Sequence, residues 1–173
     1  MLCPDCAHDN IEGMDNCEAC GQSLVAFDTA GGEMERSISK HSVGVLCPPT
    51  PLTITTTTSA NSAIEAMSQN NVGCLLVTDD GGQLAGIFTE RDVLNRLSSD
   101  TDRMCDPVEA FMTRTPVTAS QDDSIAYALH AMDLGGYRHL PIVDDEGRPT
   151  GVISVRDILR FLCVRFAELR TSS

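Results

Sequence analysis

Apolar and polar positions follow a repeating order over most of the chain, and this order predicts both strands and helices. Short apolar runs at Cys74–Thr78 and Leu140–Val143 have the length of buried strands. Each run leads into an acidic, glycine-containing tetrapeptide and then into a second apolar run, which predicts a hairpin. Ahead of the second hairpin, Ile125, Leu129 and Met132 recur at helical spacing. The pattern therefore predicts a helix followed by a hairpin.

The order strand, helix, strand, strand, helix is predicted twice. Ser59 and Ser124 stand before the first helix of each copy, where a hydroxyl can accept a hydrogen bond from the first turn. The closing helix of the second copy is predicted to extend to about Leu169, by its helical period. Its apolar stripe is Val155, Ile158, Leu159, Leu162 and Phe166. The predicted strands are Leu52–Thr55, Cys74–Thr78, Leu84–Phe88, Val117–Ala119, Leu140–Val143 and Pro149–Ile153.

One constant offset of 65 residues relates the two copies. Thr50–Thr53 matches Thr115–Thr118, Gly86–Leu94 matches Gly151–Leu159, and two further blocks match at the same offset. Two copies favour a pair related by a pseudo-twofold axis, because a solenoid needs three or more repeats. The predicted fold class is therefore α+β, with two β-α-β-β-α repeats preceded by a small N-terminal segment.

The segment between the N-terminal part and the repeats shows no clear period and contains Gly31-Gly32. It is predicted to be a linker that is partly helical at Glu33–Lys40, with His41 solvated. The predicted domains are residues 1–26, a linker at 27–45, a first repeat at 46–104 and a second at 105–169.

Four of the eight cysteines lie within the first twenty residues, as two C-x2-C pairs separated by ten residues. They are Cys3, Cys6, Cys17 and Cys20. Two such turns can place four thiolates at tetrahedral corners, which Zn²⁺ prefers, and four protein ligands leave no open position for catalysis. A redox dithiol and a pair of disulfides are the alternatives. A structural zinc site is favoured, because clustered cysteines in a chain without a secretory signal more often bind metal.

Residues 1–24 resemble the short zinc ribbons that open many prokaryotic proteins. The matching residues are Cys3-Pro4-Asp5-Cys6, Asn10, Gly13 and Cys17-Glu18-Ala19-Cys20-Gly21, where Gly21 suits a positive φ. Residues 1–35 contain eight acidic residues and no Lys or Arg. Ribbons that touch nucleic acid do so through basic residues, so this segment is predicted to contact protein or support a dimer.

Composition narrows the classes of function further. The 173 residues include 25 acidic and 12 basic ones, for a formal net charge of -13, which disfavours sequence-independent binding to nucleic acid. No apolar run of about 18 residues exists, so no membrane-spanning helix is predicted. The start lacks the basic and apolar regions of a secretory signal, and we expect a cytoplasmic protein.

The duplicated region resembles the tandem CBS domains of a Bateman module. Two G-h-h-[ST]-x-x-D blocks, at Gly86–Asp92 and Gly151–Asp157, carry the resemblance together with the strand Leu140–Asp144. Val108–Thr113 is similar to the short helical segment that opens a CBS repeat. The resemblance implies a regulatory module that binds AMP, ADP or ATP, or less often S-adenosylmethionine, and that often forms dimers.

The two blocks also contain candidate ligand-binding side chains. Asp92 and Asp157 follow a strand in the first turn of a helix, where a carboxylate can accept two hydrogen bonds from a ribose diol. Exposed N–H groups beside Thr89 or Ser154 can receive a phosphate. The resemblance implies that the aspartate holds the ribose and that first-strand threonines border the base. The candidate set is Thr53, Thr89, Arg91, Asp92, Thr118, Arg138, His139, Pro141, Ser154, Arg156 and Asp157.

The same Ser/Thr-x-x-Asp pattern is also a capping box, and the two interpretations are compatible. The copies differ, because Arg138 and His139 stand where the first copy has Gly73 and Cys74. One occupied ligand site is therefore favoured over two.

The sequence contains no Ser/His/Asp arrangement and no Walker-type loop, so no enzyme activity is predicted. The favoured function is a regulatory sensor of adenine nucleotides whose zinc ribbon contacts a partner. A dimerisation scaffold without ligand and a zinc-ribbon regulator of transcription remain as alternatives.

Overall fold

The computed structural model describes residues 3, 6–11, 14–22, 24, 38–97 and 101–171. The strands are β1 Thr53–Thr55, β2 Cys74–Thr78, β3 Leu84–Thr89, β4 Thr113–Arg114, β5 His139–Val143 and β6 Pro149–Ser154. The helices are α1 Ala60–Asn70, α2 Glu90–Asp92, α3 Ile125–Gly135 and α4 Val155–Thr171. A π-helical turn, Val93–Leu97, continues α2, and 3-10 turns lie at Val43–Leu46, Thr101–Cys105 and Val108–Ala110. The first repeat shows the expected order β1-α1-β2-β3-α2, and the second shows α3, β5, β6 and α4, preceded by β4 rather than by a strand at Val117–Ala119.

The chain forms two compact units. Unit 1 comprises Met1–Pro48, Ser120–Arg138 and Ile153–Ser173, and unit 2 comprises Pro49–Ala119 and His139–Val152. In unit 2, the strands β1-β2-β3-β4 form one sheet, in which β1 and β2 are parallel and the other pairs antiparallel. Leu75, Val77 and Phe88 are fully buried in its core. Strand β2 is apolar at four successive positions because both of its faces are covered.

The predicted strand Val117–Ala119 is shorter than expected. Only Ala119 pairs with β5, through a parallel bridge to Ile142. Thr115 has a left-handed φ of 46°, and Pro116 has no N–H to donate to a ladder. The chain thus reaches an extended pairing conformation only at the end of the predicted strand.

Both predicted helix caps are confirmed. The Ser59 hydroxyl accepts a hydrogen bond from the N–H of Ser62, and that of Ser124 accepts one from the N–H of Tyr127 at 3.0 Å. Helix α3 ends at Gly136, which has a φ of 62°. The Tyr137 ring covers the preceding residue, because a Cβ on Gly135 would lie 1.7 Å from Tyr137 Cε1. Tyr137 therefore packs on the end of α3.

Part of the expected linker belongs to unit 1. Residues 38–40 are helical, whereas Gly31-Gly32 and residues 33–37 of the expected helix lie outside the described residues. Val43 is fully buried, and its N–H donates to the carbonyl of Asp123 at 2.7 Å. His41, which we interpreted as solvated, lies edge-on to Phe161 with ring centroids 5.4 Å apart.

Each unit contains one isolated bridge at the start of a helix, and the two bridges are related by the offset of 65 residues. An isolated bridge joins Ser42 to Ser124 in unit 1, and another joins Pro107 to Ser59 in unit 2. Helix α1 of the first repeat therefore begins beside Pro107, at the start of the second repeat, and helix α3 of the second repeat begins beside Ser42, ahead of the first.

The apolar stripe predicted on α4 is buried only in part. Ile158 is fully buried, but Leu159 and Phe166 are 53% and 54% exposed. The apolar side of α4 is therefore larger than the part of it that the rest of unit 1 covers. Within the described ranges, no helix has both the length and the apolar character needed to cross a membrane.

Candidate functional sites

In the first repeat, the start of α2 is closed by a reciprocal capping box. Asp92 Oδ2 accepts hydrogen bonds from the backbone N–H and the hydroxyl of Thr89, at 3.0 and 2.6 Å. The Thr89 hydroxyl accepts in turn from the N–H of Asp92. Arg96 Nε lies 3.7 Å from Asp92 Oδ1. Both carboxylate oxygens of Asp92 thus have partners within the protein, and its side chain is only 10% exposed.

Arg96 also ties this cap to the start of the second repeat. Its Nη1 donates to the carbonyl oxygen of Phe111 and, at 3.1 Å, to that of Met112. Arg96 lies in the π-helical turn that continues α2. The cap of the first repeat is therefore part of a connected polar network.

In the second repeat, the equivalent cap is more open. Asp157 Oδ2 accepts from the N–H and the hydroxyl of Ser154, at 2.8 and 2.6 Å. Arg160 Nη1 stands 4.0 Å from Asp157 Oδ1, and the Arg160 side chain is 80% exposed. The Asp157 side chain is 29% exposed, about three times the value for Asp92. The Asp157 carboxylate is therefore the more accessible of the two.

The start of α4 combines this carboxylate with basic residues. The N–H of Val155 donates to the carbonyl of Arg138 at 3.1 Å, which places Arg138 beside the helix start. Arg138 and Arg156 are both exposed. Helix α4 has 17 residues, so its start carries the positive end of a full helix dipole. This surface can receive an anionic group.

The equivalent surface in the first repeat carries an acidic side chain, Glu90, next to exposed Arg91. The N–H of Glu90 donates to the carbonyl of Gly73 at 3.1 Å, matching the pair in the second repeat. A Cβ on Gly73 would lie 3.3 Å from the His139 ring and 3.6 Å from Glu90 Oε2. The His139 ring and the Glu90 carboxylate therefore both lie beside Gly73. Sequence reasoning missed Glu90, although the offset of 65 pairs it with apolar Val155 and so marks a difference between the copies.

Cys74 lies in the same part of unit 2. Burial raises the pKa of its thiol to about 12, and the nearby Glu90 carboxylate adds to the rise. The thiol is therefore protonated near neutral pH and is a poor nucleophile.

The remaining candidate ligand residues lie on exposed or strand positions. Thr53 and Arg91 are exposed, and Thr118 is half-buried beside the bridge at Ala119. Pro141 is buried, and its carbonyl accepts from the N–H of Ala119 at 3.0 Å. In the division into units, unit 2 contains the candidates Thr53, Thr89, Arg91, Asp92, Thr118, His139 and Pro141. Unit 1 contains Arg138, Ser154, Arg156 and Asp157.

The four N-terminal cysteines meet at one point. Their Sγ atoms all lie within 4.8 Å of one another, in the one such cluster found among the described residues. The Sγ atoms of Cys3 and Cys20 are 3.6 Å apart, as are those of Cys6 and Cys17. Tetrahedral zinc with bonds of about 2.3 Å separates its sulfurs by about 3.8 Å. Both the donor set and its dimensions fit zinc.

The local backbone explains how the two cysteine turns form. Ala7 and Gly21 each follow the second cysteine of a pair, and both have a left-handed φ, of 56° and 75°. The positive φ predicted at Gly21 is therefore confirmed. Burial raises the pKa of Cys17, but hydrogen bonds from the backbone of Cys20 and Ala19 and from Asn10 bring it down to about 6. Burial raises the pKa of the Cys20 thiol in the same cluster to about 12, so the thiols of the cluster differ in how readily they lose a proton.

Comparison with known proteins decides the family. The CBS domain family matches residues 44–99 and 108–164, which together form most of the chain. The chain belongs to the CBS domain family. The predicted CBS pair and its α+β class are thereby confirmed.

Curated relatives share this CBS region but differ in length. An uncharacterized 17.7 kDa protein of Acidianus ambivalens is 38% identical over 101 residues, which are 58% of this chain and 60% of that protein. The inosine-5'-monophosphate dehydrogenase of Methanocaldococcus jannaschii is 35% identical over 109 residues, or 63% of this chain and 21% of the enzyme. The matched region therefore spans less than two thirds of either relative.

Solved CBS pairs share the fold. The CBS domain pair of protein MJ0100, in complex with 5'-methylthioadenosine and S-adenosyl-L-methionine, has a TM-score of 0.64 and 25% identity, covering 72% of this chain and 97% of that one. The CBS domain protein PAE2072 from Pyrobaculum aerophilum, complexed with AMP, has a TM-score of 0.65 and 22% identity, covering 73% and 98%. The second likeness shows the fold alone.

Proposed function

We propose that this CBS pair is a non-catalytic regulatory module that binds an adenosine-based ligand, with Asp157 as the principal ribose ligand. The observation that carries the proposal is the Asp157 side chain at the start of α4, which is 29% exposed against 10% for Asp92. The complex of the MJ0100 pair with two adenosyl compounds supports the ligand class.

The chemistry of the α4 start suits a ligand with a diol and an anionic group. Asp157 Oδ1 accepts hydrogen bonds from the ribose hydroxyls, while Oδ2 keeps its bonds to Ser154. Arg138 and Arg156 add charge-assisted hydrogen bonds to a phosphate beside the helix N-terminus. AMP, ADP and ATP carry both groups, so the proposal favours a nucleotide over an uncharged adenosyl compound at this site.

In this proposal, the other candidate residues have secondary roles. As the resemblance implies, Thr118 borders an adenine base, and His139 and Pro141 are further candidate ligand residues of unit 2. Thr53, Thr89, Arg91 and Asp92 form the equivalent surface of the first repeat. That surface binds more weakly, because Asp92 is already paired and Glu90 repels phosphate.

Calorimetry on the full chain with AMP, ADP, ATP and S-adenosylmethionine tests the proposal. Asp157→Asn should weaken binding about tenfold or more, since one charge-assisted acceptor is worth about 1.5–3 kcal/mol. Asp92→Asn is the matched control and should change the affinity less than about twofold. A folded protein, free of copurified ligand, that binds none of the four compounds would overturn the ligand proposal.

We also propose that the four clustered cysteines hold one structural zinc ion. Cys3, Cys6, Cys17 and Cys20 fill all four positions, so the ion stabilises the N-terminal segment and offers no site for catalysis. About 25 residues cannot build a sufficient core alone, and metal binding then supplies the folding free energy of the segment. Elemental analysis should find one zinc per chain.

The role proposed for the ribbon is contact with protein in a cytoplasmic homodimer or with a separate partner. The absence of Lys and Arg from residues 1–35 argues against contact with nucleic acid. Light scattering on the full chain and on a chain starting at residue 38 tests this role. A ribbon that supports the dimer should shift the shorter chain toward monomer.

A ligand-free dimerisation scaffold is the second candidate, and the exposed face of α4 favours it. Leu159 and Phe166 place apolar surface in water on a single helix. Phe166→Glu should convert a dimer to a monomer, as measured by light scattering, if this face joins two copies. A scaffold would show this change without binding any adenosine ligand.

A further inference from the structure

Asn10 is one of two polar or charged side chains that are buried within the described residues. It is 5% exposed and lies in the N-terminal segment, where it belongs to neither cysteine pair. A buried amide costs free energy unless it is hydrogen-bonded, so its position needs a reason.

The hydrogen bonds of Asn10 connect the two cysteine turns. Its Nδ2 donates to the carbonyl of His8 at 2.9 Å and to Cys17 Sγ at 3.5 Å. Its Oδ1 accepts from the N–H of Glu18 at 3.0 Å. The carbonyl of His8 also accepts from the N–H of Cys3. One amide therefore bridges a group bonded to the first cysteine turn and two groups of the second.

The charge around the cluster gives the bond to Cys17 a further role. Four thiolates on Zn²⁺ form a centre of formal charge -2, by the stoichiometry of such sites. Residues 1–35 provide eight acidic side chains and no Lys or Arg to offset that charge. A neutral N–H donor can withdraw electron density from a thiolate without adding a competing ligand. Asn10 is placed to do this at a buried sulfur.

We propose that Asn10 is a positioning residue for the metal centre, which orients Cys17 and lowers the charge on its sulfur. The inference rests on the proposed zinc site and adds to it the residue that sets its affinity. Outer partners of metal ligands typically change metal affinity by about 10- to 100-fold when they are removed.

The sharpest variant is Asn10→Asp in the full chain. It keeps the size of the side chain and the acceptor for Glu18, but it replaces the donor to Cys17 with a negative charge. Asn10→Ala removes all three bonds without adding charge. Asn16→Ala is the matched control, because Asn16 is an exposed asparagine of the same segment.

Two measurements separate a positioning role from simple packing. Competition with a chromophoric chelator should show zinc affinity reduced about 10- to 100-fold in Asn10→Ala, more in Asn10→Asp, and unchanged in Asn16→Ala. In the Co²⁺-substituted proteins, the sulfur-to-cobalt charge-transfer band should move to lower energy in Asn10→Ala, because the sulfur loses a hydrogen bond. The far-ultraviolet circular dichroism of the CBS repeats checks folding.

The outcomes distinguish this inference from the proposal beneath it. A wild-type chain that binds neither zinc nor cobalt would reject the metal site itself, and the inference with it. If the wild type binds metal and the Asn10 variants match Asn16→Ala, only the role of Asn10 is rejected. Weaker affinity with an unchanged charge-transfer band would also overturn it, because packing alone then explains the loss.

Discussion

The two helix starts after β3 and β6 share one local pattern but lie in different surroundings. In both, an aspartate three residues into the helix accepts from the N–H and hydroxyl of the capping residue. The Oδ1 atom of Asp92 lies 3.7 Å from Arg96 Nε, and the Asp92 side chain is buried. The Oδ1 atom of Asp157 lies 4.0 Å from the exposed side chain of Arg160, which is the limit of ion-pair distance. The same capping box is thus closed in one copy and accessible in the other.

The residues beside each cap widen this difference. Arg138 and Val155 adjoin the cap of the second copy, and Gly73 and Glu90 occupy the matching positions in the first. Arg138 adds positive charge beside one cap and Glu90 adds negative charge beside the other, although the backbone hydrogen bond between the two positions is the same. The two copies therefore share the backbone pattern of the cap and differ in the charge of its neighbours.

The largest expected difference concerns the reactivity of Cys74, which replaces His139 at the matching position of the first copy. At pH 8, native Cys74 should alkylate at least about a hundredfold more slowly than exposed Cys163, because its raised pKa and burial suppress the thiolate. Peptide mapping by mass spectrometry measures both rates in one sample. Equal labelling of the two thiols in the native protein would show that Cys74 is accessible.

The last residues of α1 and α3, Asn70 and Gly135, provide the next test. Gly135→Ala should destabilise the protein by about 2–3 kcal/mol, since the new Cβ would overlap the Tyr137 ring. Its counterpart Asn70→Ala should change stability by less than about 1 kcal/mol, because exposed Asn70 makes only a local bond to the carbonyl of Ala66. Urea denaturation measures both. A tolerated Gly135→Ala would mean that Tyr137 does not pack there.

The caps themselves should differ in their contribution to stability. Asp92→Ala should cost about 2 kcal/mol and Asp157→Ala about 1 kcal/mol, since caps contribute about 0.5–2 kcal/mol and the buried one leaves more groups unpaired. The order is opposite to that expected for ligand affinity. Thermal and urea unfolding without ligand give the comparison, and equal losses would contradict the difference in burial.

The smallest effect is expected at the residues that end α1 and α3. Asn71 and Gly136 are equivalent and both have a left-handed φ, of 52° and 62°. Asn71→Gly should raise stability by at most about 0.5 kcal/mol, and Gly136→Asn should lower it by a similar amount, since asparagine is the best tolerated alternative to glycine there. Denaturation midpoints with an unchanged m-value test this pair. A large loss in Asn71→Gly would point to a side-chain contact.

Much of the fold could be predicted because its signals are local. Ser59 and Ser124 cap helices through residues three positions away, and the turns at Gly82 and Gly147 have the positive φ that glycine allows. Because the two copies match at a constant offset of 65 residues, an element predicted in one copy could be compared with the matching segment of the other. The four cysteines could be grouped from spacing because the donors of each pair are close in sequence.

Other features depend on contacts that no local pattern encodes. Glu90 and His139 both lie beside Gly73, although 49 residues separate them in the chain. The exposure of Leu159 and Phe166 depends on how much of α4 the rest of unit 1 covers. The bond from Asn10 to Cys17 was likewise hidden, since asparagine in a short segment is usually exposed.

By itself, the sequence determined the pair of CBS repeats, the order of their elements, the helix caps and the set of four cysteines. These follow from hydrogen bonds and spacings within a few residues, and from a duplication visible along the chain. Tertiary structure alone decided that Asp92 is buried while the Asp157 side chain is 29% exposed, and that Glu90 and His139 both lie beside Gly73. Accessibility and local charge arise from residues distant in the chain, so identical capping sequences acquire different chemistry only when the chain folds.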